Sequence, residues 1–388
     1  MHKVLVIWAR FGPYHLSRLR AAGELLSKRG VSLYGLEIAQ TDQVYGWSIA
    51  SQDSGFVRHT IFANFNYANL SSWTIAHAVT KTLSVLTPDV VFVNGWGTSE
   101  ALASLAWCKS RHKIAVLMSE TKADEQPRRW WKEWFKARLV RRFDAAFVGG
   151  ALHKSYVVDL GMSANRVFLG YDVVDNDYFR AEAQRVRNSE RELRAKYHLP
   201  EQYFFANCRF IERKNLDGLL RGYLEYRRMT QNPWGLVVSG SGEERDGLGR
   251  LASELGLADV RWPGFVQYDE LPVFYGLAGA FVHPAKSEPW GLVINEACAS
   301  GLPVLVSQTC GAGHELVREG ENGFVFDPLS DAEIARALTK VASLIEAQRH
   351  VMGDRSHEIV SHWGPNRFAQ GFLQAIQVSQ ARRGGSAY

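Results

Sequence analysis

Tyr203-Phe204-Phe205-Ala206-Asn207-Cys208-Arg209-Phe210-Ile211-Glu212-Arg213-Lys214-Asn215 is where the chain begins its pattern for a second time. The apolar run 203–208 reads as a strand, and it passes into a basic loop ahead of the next helix. Before it, apolar runs at 4–9, 31–38, 90–94, 114–119, 145–150 and 167–174 are separated by helix-length segments. After it, runs follow at 235–240, 260–262, 280–283, 303–307 and 323–326. Strands that alternate with helices form a parallel sheet covered on both faces, because every crossover lays a helix on the sheet. At 388 residues the chain is too long for one ordinary core. The fold class read from this pattern is α/β, with two Rossmann-like domains in tandem. The boundaries read as 1–172 and 173–364, with a C-terminal helical segment, 365–388, crossing back to the first domain. The charge-dense stretch 180–196 between the halves has helical propensity and no evident apolar face. Ligands of open parallel sheets bind beyond the carboxyl ends of the strands, so two such domains facing one another would enclose a cleft.

Composition narrows the function classes. A net charge of +5 is modest for this size and gives no indication of nucleic acid as a partner. The first apolar run stops at Arg10, too short for a signal peptide or a membrane span, and no later stretch approaches twenty apolar residues. Cys108, Cys208, Cys298 and Cys310 have no paired spacing, which argues against a zinc site or a disulfide framework and places the chain in a reducing cytoplasm. Gly240-Ser241-Gly242 opens like a dinucleotide fingerprint, but Arg245 stands where the third glycine belongs, so NAD and FAD are excluded. Asp175-Asn176-Asp177 offers two acids to a metal, yet before Tyr178-Phe179 it reads as a turn.

Two constellations in the second half carry chemistry. Arg209 at a strand's carboxyl end and Lys214 five residues on can clamp a diphosphate from two sides, although either alone reads as a surface charge. The run Ser287-Glu288-Pro289-Trp290-Gly291-Leu292-Val293-Ile294-Asn295-Glu296-Ala297 sets two carboxylates astride a loop-to-helix junction. Pro289 cannot sit in a helix interior, so the helix starts near Gly291, with Glu288 outside it and Glu296 near its first turn. Backbone N–H groups around Trp290, Gly291 and Leu292, together with the helix dipole, favour a diphosphate. Carboxylates suit hydroxyls instead, which assigns Glu288 to a sugar and Glu296 to a ribose. The plainer alternative makes Glu288 a solvated loop acid and Glu296 a favourable first-turn charge.

In the first half, Gly12-Pro13-Tyr14-His15 follows the first strand. Gly12 permits close backbone approach to a ligand, and His15 is either a helix-start contact or a catalytic or binding group. Residues 127–143 carry Arg128, Arg129, Lys132, Lys136, Arg138, Arg141 and Arg142 among Trp130, Trp131, Trp134 and Phe135. Such a helix either lies on an anionic membrane or packs its aromatic face on the sheet. The second is the ordinary outcome between two strands.

Taken together, these residues resemble the GT-B glycosyltransferases, most closely the retaining group called family 4, the glycosyl transferases group 1. The likeness is most specific over 203–327, where Arg209 and Lys214, Gly240-Ser241-Gly242, Gly264-Phe265-Val266 and the stretch from Glu288 to Gly301 follow in the family's order. It implies a donor site made by Gly12, Arg209, Lys214, Gly240, Phe265, Val266, Glu288, Trp290, Gly291, Leu292 and Glu296. Phe265 and Val266 would line the base pocket. Asn94 and Trp96 would lie on the acceptor side, making 1–172 the acceptor-binding domain and 173–364 the nucleotide-sugar domain. The catalytic candidates are Glu288, His15 and Glu120, the last standing in Met118-Ser119-Glu120-Thr121 where many members carry a histidine. Gly12 precedes Pro13, where the family commonly has paired glycines.

The resemblance also implies an activity: transfer of a sugar, with retention, from a nucleoside diphosphate sugar to a sugar, lipid-linked or polysaccharide hydroxyl in glycan or glycolipid biosynthesis. It implies no metal and no cofactor, because the basic pair and the helix dipole neutralise the leaving diphosphate. A nucleotide-sugar epimerase and a catalytically silent binding subunit are the other classes open. The expected location is cytoplasmic, with peripheral contact at the membrane's inner face through 127–143.

Overall fold

Every apolar run becomes a parallel strand, and the strands sort into two sheets. The computed structural model describes residues 1–41, 55–125 and 128–384. The chain divides into two compact units, Met1–Val174 with the segment from Trp363 onward, and Asp175–His362. The division falls at 174/175, against 172/173 read from the sequence.

The first unit has strands β1 (Lys3–Trp8), β2 (Ser32–Thr41), β3 (Val57–Asn66), β4 (Val90–Asn94), β5 (Ile114–Ser119), β6 (Ala145–Val148) and β7 (Val167–Leu169). Its helices are α1 (Pro13–Ser27), α2 (Ser72–Leu86), α3 (Ser99–Ser110), α4 (Trp130–Val140) and α5 (Ala151–Asp159). The sheet order is β3-β2-β1-β4-β5-β6-β7. Strand β3 has no counterpart in the sequence reading. It pairs in parallel with β2 at the sheet edge, and its half-exposed side chains break the apolar run that marks a central strand.

The second unit contains α6 (Asn176–Arg187), α7 (Glu190–Tyr197), α8 (Leu216–Met229), α9 (Arg245–Glu254), α10 (Leu271–Gly276), α11 (Leu292–Ala299), α12 (Gly311–Leu316), α13 (Asp331–Ala342) and α14 (Glu346–Ser361). Its strands are β8 (Tyr203–Asn207), β9 (Gly235–Ser239), β10 (Arg261–Gly264), β11 (Ala280–His283), β12 (Val304–Ser307) and β13 (Gly323–Phe326), in the order β10-β9-β8-β11-β12-β13. Contrary to the sequence reading, the charged stretch after the boundary does have an apolar face. Phe179, Ala183 and Val186, spaced four and three apart on α6, are all buried. Asp175 caps this helix by accepting from the Tyr178 amide at 3.1 Å, so the Asp-Asn-Asp segment is a helix cap.

The final helix, α15 (Pro365–Ala381), belongs to the first unit. Phe372 stacks on Phe92 of β4 with ring centroids 3.7 Å apart, and Phe368 packs edge-on against Phe147 of β6. The Trp363 indole donates to the Asp172 carbonyl at 2.9 Å. Residues 385–388 of the expected C-terminal segment lie outside the described residues.

Helix α4 reverses the ordinary orientation. Val140 is buried, and Glu133, Lys136 and the Tyr156 hydroxyl bond one another at 2.8–2.9 Å, while Trp130, Trp131, Trp134 and Phe135 face outward. Pro127, which opened the segment in the sequence reading, lies outside the described residues.

In each sheet the strand order reverses once, between β1 and β4 and between β8 and β11. Loops leaving such adjacent strands run in opposite directions and leave a crevice for ligands. In the second unit these loops are stitched together by Asn215, which adopts the left-handed conformation with φ of 57°. Its side-chain amide donates to Pro284 O at 3.1 Å and Pro328 O at 2.7 Å. The Lys286 amide adds a bond to Arg213 O at 2.8 Å. Asn215→Ala removes both side-chain bonds and sets an ordinary residue in left-handed geometry. It should lower the unfolding free energy in urea by about 2–3 kcal/mol; a loss under about 0.5 kcal/mol, the usual span of a surface change, would contradict this account.

Candidate functional site

The loop after β8 closes with a 3₁₀ turn, Glu212–Lys214, whose last residue points its ammonium at Glu288 Oε2. His283, the final residue of β11, brings Nε2 to 2.8 Å from the same oxygen. The Lys214 and Glu288 side chains are only 10% and 9% exposed. Glu288 is therefore no solvated loop acid. Burial opposes its charge, but the Lys214 ammonium and the His283 contact outweigh burial and hold the carboxyl well below the usual carboxylate range. Burial likewise disfavours the Lys214 ammonium, and Glu288 more than restores it. For His283 burial prevails and lowers its pKa, so the neutral ring donates from Nε2 to Glu288. Its Nδ1 is buried with no hydrogen-bond partner among the described residues. His283 was missing from the sequence reading; the available signal was a histidine closing an apolar strand at its carboxyl end.

The loop carrying Glu288 is pinned from the other side. The Gly311 amide donates to Glu288 O at 3.2 Å and the Ala312 amide to Trp290 O at 3.0 Å. Gly291 then caps α11 with φ of 98°, and a Cβ there would press on the Glu288 side chain at 3.2 Å. The Trp290 ring is buried and donates to Asn295 Oδ1 at 2.9 Å, so only its backbone can serve a ligand. Leu292 is half-buried at the helix start.

Glu296 departs from expectation. It lies past the first turn of α11 and is fully buried, with Oε2 accepting from the Tyr275 hydroxyl at 2.6 Å. Asn207 at the end of β8 reaches that hydroxyl at 3.5 Å and accepts from Ser239 at 2.9 Å. A polar chain thus runs under the carboxyl ends of β8 and β9.

Arg209 is half-buried at the head of the Lys214 loop. Gly240, at φ of 134°, is demanded by packing, since a Cβ would run into the Cys208 carbonyl. Its amide donates to Gly264 O at 2.8 Å, which sets Phe265, 36% exposed, and buried Val266 next to this loop. Among the described residues no group of three or more His, Cys, Asp or Glu is arranged to hold a metal ion.

The first unit gathers a second cluster at its strand ends. His15 makes a helix-start contact: its Nδ1 accepts from the Gly12 amide at 2.9 Å, and its ring lies 4.6 Å from that of Trp8. Burial first, then Arg18 and Arg10, lower its pKa to about 3, so the ring is neutral. Glu120 is exposed just after β5, and its charge bears on Asp172, which is fully buried. Arg18 answers Asp172 only from 3.6 Å. The Tyr171 hydroxyl accepts from the Trp8 indole at 2.8 Å and donates to Asn94 at 3.3 Å. Trp96 is half-buried, edge-on to Tyr156. Asp172 was missed in the sequence, where it interrupts the apolar run 167–174.

Burial, and next the Glu120 charge, push the Asp172 carboxyl well above its usual range. A raised folded-state pKa contributes stability that is complete below the unfolded value and is lost as pH rises toward the folded one. Asp172→Asn stays neutral and escapes that loss. Its melting temperature relative to wild type should therefore climb by at least about 2 °C between about pH 4 and about pH 7. A constant difference would show that Asp172 ionises freely in the folded chain.

The chain is similar to known proteins in sequence and in fold. Residues 189–358, inside the second unit, match the family described as Glycosyl transferases group 1. A GDP-mannose-dependent alpha-(1-6)-phosphatidylinositol monomannoside mannosyltransferase of Mycobacterium tuberculosis is 31% identical over 248 residues, covering 61% of this chain and 62% of that one. A lipopolysaccharide core biosynthesis glycosyltransferase of Rhizobium meliloti is 32% identical over 171 residues, 43% of this chain and 47% of that one. The chain thus spans less than two thirds of the length of these relatives. Among solved structures, sucrose-phosphate synthase from Thermosynechococcus elongatus superposes with a TM-score of 0.73 at 18% identity, covering 99% of both chains. Anabaena HepE in complex with UDP-glucose superposes with a TM-score of 0.71 at 15% identity, over 99% of this chain and 100% of that one. These likenesses show the fold: two Rossmann-like units in tandem, the GT-B architecture.

Proposed function

We propose that this chain is a retaining glycosyltransferase of the family 4 type, moving a sugar from a nucleoside diphosphate sugar to a hydroxyl of a sugar, lipid-linked or polysaccharide acceptor. The observation that carries the reading is the Lys214–Glu288–His283 cluster at the β8/β11 reversal, within the stretch matched to the group 1 family. An ammonium has three N–H donors, so Lys214 can keep Glu288 and still offer two to a diphosphate. Arg209 and the first amides of α11 complete the cationic surround, which stabilises the departing diphosphate more than the bound donor. No metal enters this reading. Glu288 holds the donor sugar's hydroxyls, Glu296 the ribose, and Phe265 with Val266 the base. The first unit takes the acceptor beside Asn94 and Trp96, with Glu120, at the neighbouring strand end, as a catalytic candidate.

The names of the relatives support a glycolipid or glycan product, one naming a phosphatidylinositol mannoside and another lipopolysaccharide core. A lipid-linked acceptor would put the enzyme peripherally at the inner face of a membrane. Because those relatives and structures name GDP-mannose and UDP-glucose, both donors enter the first screen.

A cognate donor at about a hundred times its dissociation constant should stabilise the chain by about 2.7 kcal/mol in a thermal melt. Arg209→Ala and Lys214→Ala should each lower kcat/KM at least about tenfold, roughly 1.4 kcal/mol of transition-state stabilisation. Lys214→Ala also leaves Glu288 buried and uncompensated, at a cost of about 3–5 kcal/mol, so its melt is recorded beside its activity. Half-buried Arg209 is the variant free of that penalty. An inverted anomer in the NMR spectrum of the product would remove retention from the proposal. Epimerised donor formed without acceptor would replace transfer altogether.

A further inference from the structure

Helix α4 presents four large aromatic side chains to solvent, Trp130 at 82% exposure, Phe135 at 57%, Trp134 at 47% and Trp131 at 43%. Soluble surfaces scatter such residues singly, and a contiguous set marks an interaction site. At a hundred degrees per residue, Trp130, Trp131, Trp134, Phe135 and Arg138 fall on one side of the helix axis, and Glu133, Lys136 and Val140 on the other. Arg141 and Arg142, just past the helix end, are exposed as well. The only acid in the segment is therefore turned inward, where Lys136 neutralises it at 2.8 Å. Arg128, Arg129 and Lys132 add further exposed cations at the start of the helix.

We propose that this aromatic and cationic face of α4 is a membrane-docking surface that seats the chain on anionic lipid headgroups. The side chains are arranged as an interface demands. The Arg138 guanidinium lies 3.8 Å from the centroid of Trp134, and the Lys132 ammonium 5.5 Å from that of Trp131. Indole rings settle at the headgroup level with the apolar edge inward, while stacked cations reach the phosphates. Each cation near an anionic surface adds about 1 kcal/mol. A neutral glycan could stack on the tryptophans but has no use for the cations set among them. Among the described residues no helix is long and apolar enough to cross a membrane. The docking does not rest on the function proposed above and is measured without donor or acceptor.

The full chain is sedimented with vesicles of phosphatidylcholine alone and with vesicles containing phosphatidylglycerol. Binding to the anionic vesicles that weakens with salt is the expected result. Trp130→Ser with Trp134→Ser, and separately Arg138→Glu with Arg141→Glu and Arg142→Glu, should each reduce it at least about tenfold. Because these side chains are exposed, the melting temperature of both variants should match wild type. Absence of binding to anionic vesicles, or equal binding by the variants, overturns the proposal. So does a concentration-dependent dimer in sedimentation velocity that the tryptophan variant abolishes, which would give the face to a second copy of the chain. Loss of glycosyl transfer with vesicle binding intact would instead count against the function proposed above.

Discussion

A single carboxylate oxygen, Glu288 Oε2, receives both the Lys214 ammonium and the His283 imidazole in a place where neither the carboxylate nor the ammonium is well hydrated. Removing such ions from water costs several kcal/mol each, which is recovered only when partners are held in close geometry. Much of the loop structure at the β8/β11 reversal supplies that geometry. Asn215 ties the Lys214 turn to the segment after β11, the 310–312 backbone grips the Glu288 loop, and Gly291 leaves the carboxylate its space. Three stretches remote in sequence converge because a parallel sheet delivers the ends of adjacent strands to one edge.

The first unit shows the opposite outcome from similar parts. Asp172 is as deeply buried as Glu288, yet its nearest cation stands off at 3.6 Å and its other neighbour is a like charge. One carboxyl is consequently pulled below the usual carboxylate range and the other pushed above it. The two clusters present contrasting chemistry, a compensated charge pair in one unit and a carboxyl whose charge burial opposes in the other.

The alternation of strands and helices was plain in the sequence because central strands of a parallel sheet are apolar on both faces. Strand β3 escaped for the complementary reason, since an edge strand such as Val57–Asn66 need not be. Helix α6 hid its buried face because Phe179, Ala183 and Val186 are diluted by the charged residues between them. Arg209, Lys214, Glu288 and Glu296 could be picked out by spacing, but the burial of Glu296 against Tyr275 depends on a partner twenty-one residues away that no local pattern signals. His283 and Asp172 were visible only as polar residues ending or interrupting apolar runs. The orientation of α4 was misjudged because Lys136 and Glu133, as a bonded pair with Tyr156, are neutral enough to face inward.

Helix α15 has a bearing on how the molecule is made. Its phenylalanines fill the first unit's core between β4 and β6, yet they follow the whole of the second unit in the chain. On the ribosome, therefore, the domain synthesised first would be the last completed, and the apolar surface over Phe92 and Phe147 would stay uncovered while the later domain folds. That order makes the early domain the natural client of chaperones during synthesis.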